Sequence, residues 1–283
     1  MRDSLVRRVP LYGWIGLLLI AASWPAYWTV SGAYSEDLFI LLWAGYVLVV
    51  DGLGYARTGR SLLTGPPVRW LALLAAGGAF WFSFEIENHA LRDWTYLTRA
   101  RHGRLTFDLV QAATFATVGP VLWVTTAFFR SIPRLAESRG PRLPRLAPGA
   151  LGGLSVAGAV CLAAPMLWPR VAFVPVWFGW FLLLDPLNAA LGGRSLIRQA
   201  QAGRWGTWLA LTLAGLTAGA FWEGWNNGSA GYMWTYHVPY FDSAPHLFQM
   251  PLPGYLGYPP FVLSAYAAYQ SGVLIVRRVG PIG

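Results

Sequence analysis

The chain has no lysine, and all 21 of its basic residues are arginine. That excludes any lysine Schiff base, retinal-type or otherwise. Cys161 is the single cysteine, so neither an intrachain disulfide nor a cysteine-built metal site can form. Charge is scarce too. Only 12% of the 283 residues are charged, against roughly 25% in a soluble domain. The sequence contains no Gly-x-Ser-x-Gly elbow, His-Glu-x-x-His, Walker loop, Gly-x-Gly-x-x-Gly turn or desaturase-type histidine array; soluble cofactor enzymes are excluded with them. No metal motif and no cofactor is indicated. The formal charge of +9 is spread between apolar runs and gives no reason to expect nucleic acid.

What is there is apolar. Hydrophobic residues make up 55% of the chain, with 16 Trp and 20 Pro, a composition suited to membrane helices with aromatic anchors and breaks. Runs of about 20 apolar residues, enough to cross a ~30 Å hydrocarbon core, occupy 11–33, 37–57, 68–87, 105–129, 149–168, 170–191, 205–225 and 256–276. The pattern predicts an all-α integral membrane protein with eight transmembrane helices. Pro165, Pro169 and Pro175 crowd one junction, which leaves seven as the alternative. The first run, ending at Ser31-Gly32-Ala33, exceeds the ~7–15-residue core of a signal peptide and reads better as a retained span.

One stretch occurs twice. Trp43–Leu62 and Trp177–Leu196 align without a gap and share ten of twenty positions, including Trp43/Trp177, Asp51/Asp185 and the run Gly59-Arg60-Ser61-Leu62/Gly193-Arg194-Ser195-Leu196. This reads as an internal duplication. A Pro/Arg-rich segment separates the copies, so we expect a first four-span repeat at 1–130, a cytoplasmic linker at 131–148 and a second four-span repeat at 149–283. An even span number per half gives parallel repeats about an axis along the membrane normal. With the N-terminus inside, 16 arginines fall on inner segments and five on outer ones. The positive-inside rule then supports eight spans with both termini in the cytoplasm, and a bacterial-type inner membrane is the expected location. The exception is 88–104, which carries Arg92, Arg99, Arg101 and Arg104: either it meets an anionic partner such as lipid headgroups or, the reading we favour, Glu87, Asp93 and Asp108 neutralise it locally.

The polar groups inside apolar runs are the candidate sites. Asp51 and Asp185 lie well inside spans, where a carboxylate costs about 2.5–3.5 kcal/mol and must face protein or a polar cavity. Each could tie its helix to the Gly-Arg-Ser turn that follows, or serve an ion or proton pathway. A second duplicated signature is aromatic-Glu-x-x-Asn: Phe84-Glu85-Ile-Glu-Asn88 and Trp222-Glu223-Gly-Trp-Asn226, each leading to Trp-Thr-Tyr, at 94–96 and 234–236. Glu and Asn three apart share a helix face. Trp-x-Tyr is expected in the interfacial aromatic belt. If Glu85 and Glu223 meet near the repeat axis, they form a carboxylate pair that shares a proton or binds a cation. The halves then diverge. The loop 226–255 has no Arg and is aromatic-rich, and it reads as a lid at the outer interface, with His237, Asp242 and His246. Gly119-Pro120 and Pro259-Pro260 mark helix breaks, which either line cavities or kink the packing.

The aromatic-Glu-x-x-Asn and Trp-x-Tyr motifs, with the tail Met250-Pro-Leu-Pro-Gly-Tyr-Leu-Gly-Tyr-Pro-Pro-Phe261, resemble those of a group of uncharacterised bacterial multi-pass membrane proteins, which often carry Glu where this chain has Gln249. The resemblance implies no activity. Three function classes follow from the residues. The protein binds or moves a small amphipathic or lipid-like ligand at Asp51, Asp185, Glu85, Asn88, Glu223 and Asn226. Alternatively it is a structural or assembly subunit with a protein partner in a larger membrane complex. In the third class it is an intramembrane or interfacial enzyme using Glu223 with His237 or His246. Membrane lipids are expected partners in each case.

Overall fold

Proline and glycine punctuation sets the helix boundaries. The computed structural model describes residues 9–31, 35–97, 104–231 and 233–279. The long helices are α1 Leu11–Thr29, α2 Ser35–Thr58, α3 Pro67–Leu91, α4 Arg104–Ala116, α5 Val118–Arg130, α6 Pro148–Ala163, α7 Val176–Ala190, α8 Gly206–Asn227 and α9 Tyr258–Val279. Pro67 and Pro148 open α3 and α6, where the missing amide costs nothing. α3 ends where Arg92 turns left-handed at φ 59° and its amide bonds to the Asn88 carbonyl at 2.8 Å. The Gly119-Pro120 pair follows directly on the break between α4 and α5.

Among the described residues five segments are long and apolar enough to cross a membrane: Asp37–Thr58, Pro67–Leu91, Asp108–Arg130, Pro148–Met166 and Leu252–Arg278. α7, at 15 residues, falls short of the ~20 that a full crossing takes. It is preceded by a single turn at Pro169–Ala172, where the three prolines interrupt the run.

α1 packs on α2, α2 on α5, and α5 on α3; in the second half α6 packs on α7, α7 on α9, and α9 on α8. Small residues permit the close approaches. A Cβ on Gly16 would lie 2.7 Å from the Gly45 carbonyl, and one on Gly119 only 2.0 Å from the Leu73 carbonyl, so side chains are excluded where α1 meets α2 and α5 meets α3. α5 also packs on α8, and α9 touches α3, which closes the two sets into one body.

Aromatic residues fill the junction. Trp43 packs against Trp222 at 4.8 Å and Trp225 at 4.6 Å, while Trp177 stacks on Phe84 at 5.1 Å. Each duplicated tryptophan therefore packs on the aromatic of the opposite Glu-x-x-Asn signature. Leu11, Leu18, Leu71, Leu109, Val156 and Leu167 instead turn outward and are exposed, a surface that asks for an apolar surround.

The segment 131–148 is not free-running. It lies along the second half, with Gly140 N–H on the Gly203 carbonyl, Leu143 N–H on Ala200 and Trp205 N–H on Ser138. Arg2, Arg7, Arg8, the Gly32-Ala33 pair, Arg99, Arg101 and His102 lie outside the described residues.

Candidate functional site

The duplicated aspartates organise turns. Asp185 is fully buried and accepts three hydrogen bonds, from Ser195 Oγ at 2.7 Å, Leu196 N–H at 2.8 Å and Ile197 N–H at 2.9 Å. Asp51 accepts from Ser61 Oγ, Leu62 N–H at 2.7 Å and the Tyr12 hydroxyl at 3.0 Å. Both carboxylates thus hold the Ser-Leu that follows Gly-Arg, through hydroxyl and amide donors. Arg198 caps the end of α7 instead, through the Ala189 carbonyl at 2.8 Å.

The asparagines hold a ribbon. Asn226 Nδ2 donates to the Trp234 carbonyl at 2.7 Å and its Oδ1 accepts from Trp234 N–H at 2.9 Å; Asn88 does the same to Trp94 at 2.9 and 3.2 Å. Only an amide side chain presents donor and acceptor side by side, as a neighbouring strand does. The two anchored segments, β1 Trp94–Tyr96 and β2 Trp234–Tyr236, pair antiparallel, with Trp94 opposite Tyr236 and Tyr96 opposite Trp234. His237 N–H to the Asp93 carbonyl at 2.7 Å and Leu97 N–H to Met233 at 2.6 Å extend the ladder at both ends.

The glutamates collect ring donors. Glu85 Oε1 accepts from the Trp81 and Trp94 indoles at 2.8 and 3.2 Å and from the Tyr96 hydroxyl at 2.6 Å. Glu223, with no exposed surface, accepts the Tyr236 and Tyr258 hydroxyls at 2.6 Å each. Among these bonds the two glutamates share no donor. Burial, and the adjoining Glu223 carboxyl, hold the Tyr236 hydroxyl well above its usual range, so it stays protonated and donating.

These aromatics form the wall of a cavity of about 460 Å³ at the junction. It lies under the ribbon, between α3, α5, α7, α8 and the start of α9. Trp81, Trp94, Trp177, Trp222, Trp234 and Phe261 give it apolar faces, and Tyr96, Tyr236 and Tyr258 give it hydroxyl edges. Pro260, from the second helix break, is also on the wall. None of Asp51, Asp185, Glu85, Asn88, Glu223 and Asn226 lies on it: the glutamates and asparagines hold the residues that do.

One carboxylate does line the cavity, and motif reasoning passed over it. Asp93 is 3% exposed, and among the described residues its Oδ1 has no hydrogen-bond partner and it is the only charged residue on the wall. Burial pushes its carboxyl up to about 7. The available signal was an asymmetry: the residue before Trp-Thr-Tyr is Asp93 in one half and Met233 in the other. Trp81, Trp177 and Tyr258 were likewise outside the motifs' reading as a site. Among the described residues, neither Glu87 nor Asp93 pairs with an arginine.

The loop 226–255 supplies β2, then packs Val238 and Phe241 against Leu91, Phe173 and Val176. A hairpin of β3 His246–Leu247 with β4 Met250–Pro251 follows. His237 pairs with Asp242 at 2.9 Å with 78% of its side chain exposed, and His246 Nδ1 lies 2.8 Å from the Ala244 carbonyl. No hydrogen bond joins either to Glu223, and among the described residues no cluster of three acidic, histidine or cysteine groups could hold a metal.

A second cavity, about 420 Å³, lies between α3, α5 and α9, with Arg130 and Arg194 on its lining.

Fold and site together define a helical protein with, among the described residues, five membrane-length apolar segments and an aromatic cavity under the ribbon. No protein family, no functionally described protein and no solved structure matches the chain.

Proposed function

We propose that the chain is an integral protein of the bacterial inner membrane that binds or moves a small amphipathic or lipid-like ligand. In this reading eight spans form two parallel four-span repeats with cytoplasmic termini, and membrane lipids surround them. The arginine distribution supports the orientation. The recurrence of the same neighbours, the same Asp-held turns and the same Asn-held strands supports the duplication. The ribbon end is then the outer end.

The observation that carries the functional reading is the aromatic cavity of about 460 Å³, a volume within the ~300–1,000 Å³ range of small-molecule sites. Its walls are apolar with a few hydroxyl edges, as an amphipathic guest requires. The duplicated Glu and Asn residues act on that guest indirectly, by fixing the ribbon and the rings. The enzyme reading through Glu223 finds no support in the hydrogen bonding of His237 or His246.

Native mass spectrometry of the purified protein, with lipid extraction, tests this. A Cβ on Gly257 would face Trp177 at 3.7 Å or more, so Gly257→Leu projects a branched side chain into the cavity and narrows it without a backbone clash. A small molecule or lipid held by the wild type and lost in Gly257→Leu is the expected result. A molecule retained by the variant, or a co-purifying protein in its place, would overturn the cavity reading, the latter in favour of a subunit role.

A further inference from the structure

Asp93 is a buried carboxylate with an unsatisfied oxygen on the wall of a cavity that is otherwise uncharged among the described residues. A lone buried charge is costly unless something pairs with it, and among the described residues the wall supplies no cation. It supplies five indoles, from Trp81, Trp94, Trp177, Trp222 and Trp234. Indole faces attract cations, most strongly where water is excluded. The ladder bond from His237 N–H to the Asp93 carbonyl fixes the backbone of this residue, so the carboxylate is positioned by the ribbon and not by a partner of its own.

We infer that the cavity selects an organic cation, an amine or quaternary ammonium on an apolar body, with Asp93 as its counter-ion and the indoles as its cage. The inference rests on the cavity being a ligand site and goes beyond it by naming the ligand's charge. Neutral amphiphiles would leave the carboxylate unpaired, and anions would oppose it. Met233, which precedes Trp-Thr-Tyr in the second copy, offers no charge.

The test compares three probes of one shape: 4-phenylbutylamine, 4-phenylbutan-1-ol and 4-phenylbutyrate. Binding to wild type and Asp93→Asn is measured by titration calorimetry in uncharged detergent micelles at about pH 8, where the amine is protonated. Wild type is expected to bind the amine at least about tenfold more tightly than the alcohol, and to reject the acid. Asp93→Asn should bring amine and alcohol within about twofold, with an unchanged circular dichroism spectrum reporting that the variant is folded. Equal binding of amine and alcohol by wild type would overturn the cation inference and leave the cavity standing. A preference that survives Asp93→Asn would overturn it equally. Binding of none of the three would overturn the cavity reading, and the inference with it.

Discussion

Thr95 and Thr235 sit directly opposite each other at the centre of an antiparallel ribbon whose strands have the same sequence, Trp-Thr-Tyr. Two identical strands paired about their middle residue define a local two-fold relation. The motifs that the two halves share are thereby in contact with each other. The pairing also explains why Asn recurs after Glu: each Asn fixes its own strand's tryptophan, and the strands then fix each other.

The first prediction concerns those anchors. Asn226 is fully buried, and its Nδ2 and Oδ1 each bond to the Trp234 backbone. Truncation leaves a buried N–H and C=O without that partner, at about 1–3 kcal/mol. Asn226→Ala should lower the denaturation midpoint in detergent, and Asn88→Ala, at a half-buried position with a longer bond of 3.2 Å, should lower it less. An equal or reversed order would argue against the ribbon as the element that joins the halves.

The duplicated aspartates should differ in tolerance. At Asp185 the Oδ2 atom accepts a hydroxyl and an amide N–H; asparagine would set its own NH₂ against that N–H or against the Leu196 N–H. Asp185→Asn is expected to cost about 2–4 kcal/mol, since bonds to a charged acceptor are worth roughly 1.5–3 each. At Asp51 the Oδ2 partners are two hydroxyls, Ser61 and Tyr12, which can rotate to accept. Asp51→Asn should therefore cost under about 1 kcal/mol. Chemical denaturation of both variants in mixed micelles decides this. Normal stability of Asp185→Asn would remove the turn-holding account.

Glu223 should behave as an acceptor and not as an acid. Both tyrosyl hydroxyls reach Oε1, and Oε2 is buried with no partner. Glu223→Gln keeps Oε1 and both bonds, so stability should stay within about 1 kcal/mol, whereas Glu223→Leu strands two buried hydroxyls at about 2–4 kcal/mol together. Midpoints for the two variants, with Tyr258→Phe as the single-bond reference, measure the difference. If Glu223→Leu proves neutral, the rings are held by packing alone.

Much of this was legible in the sequence, but not all of it to the same depth. Apolar run length located the helices because hydropathy is a local property. The repeated Trp43/Trp177 and Glu-x-x-Asn residues marked sites where the halves meet. What they meet was not legible. Trp-Thr-Tyr reads as an interfacial belt until the two copies are seen to pair, and strands 140 residues apart in the chain leave no local sign of it. Asp93 reads as a neutraliser of nearby arginines, because its burial depends on how 226–255 folds over the ribbon. The same applies to Tyr258: its distance in sequence from Glu223 hides a 2.6 Å bond.

Asp93 makes a final prediction, about pH. Its carboxyl is pushed up to about 7 by burial, against about 3.9 in an unfolded chain. Between these values the folded protein holds a proton that the unfolded chain does not. Stability from this group is therefore fully present below about pH 4 and is lost as pH rises through about 7. Among the described residues the other titratable groups on the cavity wall are the hydroxyls of Tyr96, Tyr236 and Tyr258, and burial keeps Tyr236 protonated throughout this window. The midpoint of wild type minus that of Asp93→Asn should fall between about pH 5 and pH 8. A cationic ligand pairs with the ionised carboxylate, so adding 4-phenylbutylamine should flatten the fall and 4-phenylbutan-1-ol should not. A difference that is already flat without ligand would mean that Asp93 is ionised and satisfied in the empty protein, by water or by an arginine, and that the cavity has no need of a cation.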